Sequence, residues 1–361
     1  MPNSLQAILF RLIRISIGTE QVGASFEVGV VEWPKVYEMA RKQGVLAVVF
    51  DGLVKVFEQD KEFAKRFPRD LKLRWIMQTQ SIEQTYARQL ALSAELAERF
   101  AESDIATVCL KGLAVAKYYP VPSHRECGDL DCFLMGDYER GNLLAEELGA
   151  KVEREFYKHS HIIYKGLMVE NHQFCTAVRG SKLFKARERH LQNLLKITTP
   201  DYIADTKLIS PCCDFNALFL TTHGFGHFLT EGIRIRHILD WVLFVKSEQA
   251  NIDWKSLYEW CDRLGYTRYL NTLNAIAVDN FGLELCAEAQ LDRSLVERLL
   301  NDCHTSSSIF NQSSSPWLTR FAILRSYLSS AWTNHTVHRR SILVYLFQIV
   351  KGFIFEREPK L

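Results

Sequence analysis

The chain has 361 residues, 47% of them hydrophobic and 24% charged, and carries a formal net charge of +2. That composition belongs to an ordinary globular protein with enough chain for a sizeable core and two or three domains. A balance so near neutrality excludes any global argument for a nucleic-acid or membrane surface, and no strong nucleic-acid patch is present. The nine cysteines are scattered from Cys109 to Cys303 without a CxxC pair, which argues against a zinc knuckle and predicts reduced, buried thiols in a cytoplasm.

The opening "MPNSLQAILFRLIRISIG" lacks a basic segment before its apolar run and carries Arg11 and Arg14 inside it, so it reads as an amphipathic helix capped by Asn3 or Ser4. "WPKVYEMARKQGVLAVVFDGL" places Pro34 near a helix start, and the stretch from Leu71 to Asp104 continues at helical spacing. Near residue 104 the texture changes. "DIATVCLKG" and "GDLDCFLMGD" are short strands separated by a short helix closed by Pro120, and "DYERGNLLAEELGA" is a helix that stops at Gly149. "HSHIIYKGLMVENHQF" is a hairpin turning at Lys165-Gly166.

From about residue 190 the pattern is helical again, and "GSKLFKARERHLQNLLK" just before it reads as a solvated helix. A Ser-rich loop, "HTSSSIFNQSSSPW", leads into basic amphipathic segments, and "SILVYLFQIVKGFIF" is broken by Lys351 and too short for a comfortable membrane span. The expected fold is α+β: an N-terminal helical region (1–100), a small mixed-sheet core (101–185) and a C-terminal helical bundle (186–361).

Asp129 and Asp131 stand one residue apart in the second strand, so both project from one face, opposite Leu130 and Cys132. Two adjacent anions raise each other's pKa unless a cation lies between them. Such a pair suits a divalent cation that also holds phosphate oxygens. Glu170, on the last strand of the hairpin, could complete a two-metal site and take a proton from an attacking hydroxyl. "LKG", where the first strand ends, offers backbone amides and Lys111 as a phosphate cradle.

With these residues in order, "LKGLAVAKYYPVPSHRECGDLDCFL", "LMVENH" and "HGFGH" followed by "RIRHILDW" resemble uncharacterised bacterial nucleotidyltransferases of the DNA polymerase β superfamily. The resemblance implies that Asp129, Asp131 and Glu170 ligate two Mg²⁺ ions, or Mn²⁺ in their place. It assigns Lys111 and Gly112 to the phosphate loop and Arg125 to the triphosphate of an NTP such as ATP. Pyrophosphate would leave as the nucleotide passes to an acceptor hydroxyl on a small molecule, a protein or an RNA end, among which the sequence does not choose. Most of the superfamily has Gly-Ser in the loop and Asp as the third acid, so this chain lacks the loop hydroxyl and has a longer carboxylate.

His172 shares a strand face with Glu170. His223 and His227, four apart, suit a zinc pair, a polar core, or a cleft lined together with Arg236 and Asp240. Arg125 could instead form a surface salt bridge with Glu126 or its neighbours. The alternative from another class is a catalytically silent nucleotide-binding or protein-interaction module, favoured by the missing hydroxyl and opposed by the three retained acids.

Overall fold

The computed structural model describes residues 4–305 apart from 24, 27, 28, 155, 156, 198 and 231. The expected cap Asn3, most of the Ser-rich stretch and the basic segments beyond it lie outside the described residues. Five helices come first: α1 (Ser4–Ile17), α2 (Trp33–Lys42), α3 (Leu46–Gln59), α4 (Lys61–Arg66) and α5 (Arg69–Ala101). In α1, Leu9, Phe10, Leu12, Ile13 and Ile15 are buried, while Arg11 and Arg14 both pair with Glu20 at 2.8 Å. This helix crosses α3 at Gly52, where an added Cβ would stand 2.1 Å from the Leu12 carbonyl oxygen, so only glycine allows the two backbones this close. Pro34 sits in the first turn of α2, where a missing N–H is tolerated. Asp60 caps α4 by accepting from the Phe63 amide at 2.8 Å.

The middle of the chain runs β1 (Thr107–Cys109), α6 (Leu113–Ala116), β2 (Leu130–Phe133), α7 (Tyr138–Glu147), β3 (Lys151–Glu153), β4 (His159–Tyr164), β5 (Leu167–His172), α8 (Lys182–Ile197), β6 (Asp201–Tyr202) and β7 (Leu208–Ser210). These strands form one mixed sheet in the order β3-β4-β5-β2-β1-β7-β6. Strand β2 is antiparallel to β1 and parallel to β5, and β1 is parallel to β7. Lys165 and Gly166 have φ of 49° and 81°, the two successive positive values a two-residue hairpin turn needs. α9 (Cys213–Thr230), α10 (Ile235–Glu248), α11 (Trp254–Leu264), α12 (Thr267–Asp279) and α13 (Val296–Thr305) complete the described chain. The α+β class and the flanking helices are as expected.

Two local expectations fail. The chain is not purely helical after residue 190, because β6 and β7 extend the sheet. Nor is α8 simply solvated: Arg187 and Glu188 are buried. Glu188 accepts from the Cys175 and Thr176 amides at 2.7 and 2.8 Å, while Arg187 donates to the Ala177 carbonyl and the Tyr266 hydroxyl. Charged residues at these positions satisfy the backbone that leaves β5, so their charge says nothing about solvent.

One face of the sheet is apolar. Leu130, Cys132, Ile162, Tyr164, Leu167 and Val169 pack with Leu96 and Phe100 of α5 and Ala145 of α7. The opposite face carries the alternate residues, and with them the charged groups. No disulfide joins any cysteine among the described residues. No helix there is long and apolar enough to cross a membrane.

Candidate active site

The polar face is assembled by strand register. Across the parallel β2/β5 pair, Asp131 lies beside Glu170 and Phe133 beside His172; across the hairpin, Glu170 lies opposite His161 and His172 opposite His159. Since alternate residues share a face, these pairings bring one aspartate, one glutamate and three histidines onto one surface. Asp131 is 3% exposed. Its Oδ1 accepts from Lys111 Nζ at 3.0 Å and lies 3.2 Å from His172 Nε2, which is also 3.2 Å from Glu170 Oε2. The Asp131 Oδ2 atom is buried and has no hydrogen-bond partner.

Charge balance sets the protonation here. Burial pushes the Asp131 carboxyl up, but the Lys111 ammonium and the His172 contact prevail and hold it well below the usual range. Burial opposes the Lys111 charge, which the carboxylates of Asp131 and Asp129 nonetheless keep raised. In Glu170, too, burial is outweighed, chiefly by the hydrogen bond to His172, and its pKa is lowered. The cation paired with Asp131 is therefore Lys111, whose charge also acts on Asp129. His172 Nδ1 lies 3.2 Å from the Phe174 carbonyl, which can only accept, so Nδ1 carries hydrogen and Nε2 is aimed between the two acids.

Asp129 sits one residue before β2 and is half-buried. Burial and the charge of Asp131 raise its pKa. Two groups of ligand atoms lie within 4.8 Å of one another, one from Asp131, Glu170 and His172, the other from His159, His161 and Glu170, and Asp129 is in neither. Gly112 has φ 62° and ψ −111°, a conformation that L side chains avoid, and it leads into α6.

Arg125 is buried and forms a two-pronged pair with Asp240, Nε to Oδ1 at 2.9 Å and Nη2 to Oδ2 at 2.8 Å. Tyr119 also donates to Asp240, at 2.7 Å. The surface bridge to Glu126 weighed for Arg125 does not form; its partner is 115 residues away. Arg125 and Asp240 nevertheless border a cavity of about 190 Å³ shared with Lys111, His223, His227 and Arg236. There His223 and His227 face each other, Nε2 to Nε2 at 3.1 Å, so one ring donates to the other. Burial, then the nearby Lys111 charge, pushes His223 well below its ordinary value. Arg236 donates to the Glu126 carbonyl at 2.7 Å. His172 borders a different cavity of about 480 Å³, with Phe133, Tyr138 and Phe174.

Sequence reasoning missed His159, His161, Lys158, Arg234 and His237. Lys158 is held low by burial close to Asp131, Lys111 and Glu170. Arg234 and His237 join the smaller cavity. The histidines of β4 had a signal: counting back from the Lys165-Gly166 turn sets His161 opposite Glu170.

Over residues 30–282, more than half its length, the chain matches the model of a family described as uncharacterised nucleotidyltransferase, and it belongs to that family. Comparison with curated proteins and with solved structures gave no match. Family membership supports nucleotidyl transfer in general terms and implies an NTP substrate.

Proposed function

We propose that the protein moves a nucleoside monophosphate from an NTP to an acceptor hydroxyl in a reaction that depends on divalent metal ions. The observation that carries this reading is the orphaned Oδ2 of Asp131, a buried oxygen on a carboxylate that has a ligand atom within 4.8 Å of those of Glu170 and His172. A buried oxygen without a partner is costly, and a cation ligand meets that need. Asp131 and Glu170, with Asp129 at the strand entrance, would hold Mg²⁺ or Mn²⁺ through their carboxylate oxygens, the donors such ions prefer. Bound as a pair, the ions would supply charge stabilisation to the attacking and leaving oxygens.

The chain's own groups do the rest. Lys111 and Arg234 give the smaller cavity a positive wall for the β and γ phosphates, and the Arg125–Asp240 pair fixes its floor. The acceptor oxygen attacks the α-phosphorus as the bond to the bridging oxygen breaks; pyrophosphate takes that electron pair, and the hydroxyl proton passes to Glu170. The lowered pKa of Glu170 keeps it ionised, as a metal ligand or proton acceptor must be, though it makes the carboxylate a weaker base.

The test is to incubate the protein with α-labelled NTPs, Mg²⁺ or Mn²⁺ and a cell extract, beside Asp131→Asn. Label should pass to an acceptor with wild type, and the variant should lose about 10²-fold or more in rate while keeping its circular dichroism. Full activity in the folded variant would sink the proposal. Metal-dependent nucleotide binding without transfer would favour the silent module instead.

A further inference from the structure

His159 and His161 alternate along β4, so both project from the face that carries Glu170, which register places opposite His161 and diagonal to His159. His161 Nε2 lies 3.8 Å from Glu170 Oε1, and His159 Nδ1 lies 3.8 Å from Glu170 Oε2. Both gaps exceed hydrogen-bonding reach. They are close to the ~3.4 Å separation of two donors around a tetrahedral ion with bonds of about 2.1 Å. The two imidazole rings are 5.0 Å apart between centroids, on the same side of the strand. Side chains of His159, His161 and Glu170 are 15%, 24% and 21% exposed, enough for an ion to reach them from solvent.

We infer that His159, His161 and Glu170 form a binding site for a first-row divalent transition-metal ion, of the class of Zn²⁺, on the hairpin beside the proposed catalytic carboxylates. The donor chemistry sets the class. Imidazole nitrogen suits Zn²⁺, Co²⁺ and Ni²⁺, whereas Mg²⁺ demands oxygen ligands in a near-octahedral array. Two nitrogens and one carboxylate leave a coordination position open for water or a substrate oxygen. Glu170 also belongs to the Asp131 and His172 group, so the two sites share a ligand.

This inference does not rest on nucleotidyl transfer, and its test needs no nucleotide. Full-length protein stripped of metal is titrated with Co²⁺, followed by the visible d–d absorption, and then challenged with Mg²⁺. One equivalent of Co²⁺ should give an intense, low-symmetry band that a large excess of Mg²⁺ does not displace. The His159→Ala/His161→Ala variant should bind at least about tenfold more weakly, and His161→Gln should lose part of that affinity while conserving side-chain bulk. Unchanged affinity and band shape in the folded double variant, which would put the ion on Asp131, Glu170 and His172, overturns the site. So does displacement of Co²⁺ by an equal amount of Mg²⁺.

Discussion

Asp240 shows how a residue's role depends on a partner far along the chain. Its carboxylate holds Arg125 by two hydrogen bonds in a buried setting. Burial opposes the Arg125 charge, and Asp240 more than restores it. Removing one partner strands a buried charge, so Asp240→Ala should destabilise the protein by about 3–5 kcal/mol in urea denaturation. The Arg125→Met/Asp240→Leu double variant should recover part of that loss, because it removes both buried charges while the Tyr119 hydroxyl loses its acceptor. Asp131 and Glu170 could be read from local sequence, since a carboxylate inside an apolar strand stands out against its neighbours. Asp240 as the partner of Arg125 could not, because nothing near either residue points across 115 positions.

Short elements divide in the same way. The hairpin was legible because its turn needs two residues at positive φ and Lys165-Gly166 supplies them. β3, β6 and β7 span only two or three residues and show no period to read. Their pairing with neighbours, not their composition, makes them strands. The one-turn segment before β2 carries His124, whose Nδ1 and Nε2 each lie 2.8 Å from a carboxylate, Asp51 of α3 and Glu83 of α5. Burial works against the charged ring, but the two hydrogen bonds prevail and raise its pKa. A raised folded pKa contributes stability that is complete below the unfolded value, about 6.5, and is lost as pH climbs through the folded one. Unfolding free energy measured in denaturant should therefore fall as pH rises from about 6.5, and His124→Gln should flatten that slope.

At the scale of the molecule, the interior strand β1 has β2 on one side and β7 on the other. Its register with β7 joins Thr107 to Leu208 and Val108 to Ile209. A fragment of residues 101–185 keeps the three acids but loses β6 and β7, and it leaves one edge of β1 open. Such a fragment should show little cooperative melting by circular dichroism, whereas the full chain should melt as a folded protein. The candidate site was legible further than the sheet that supports it: its acids lie within one compact stretch, while the strand that closes β1 arrives after α8. That distance also sets a timetable for biosynthesis. At roughly 5–20 residues per second, the ribosome needs roughly 5–20 s to travel from β1 to β7. From the addition of His172 until β7 emerges, the nascent chain carries its carboxylates and histidines beside an uncovered strand edge, so the step most in need of a chaperone falls midway through translation, after those residues have been made.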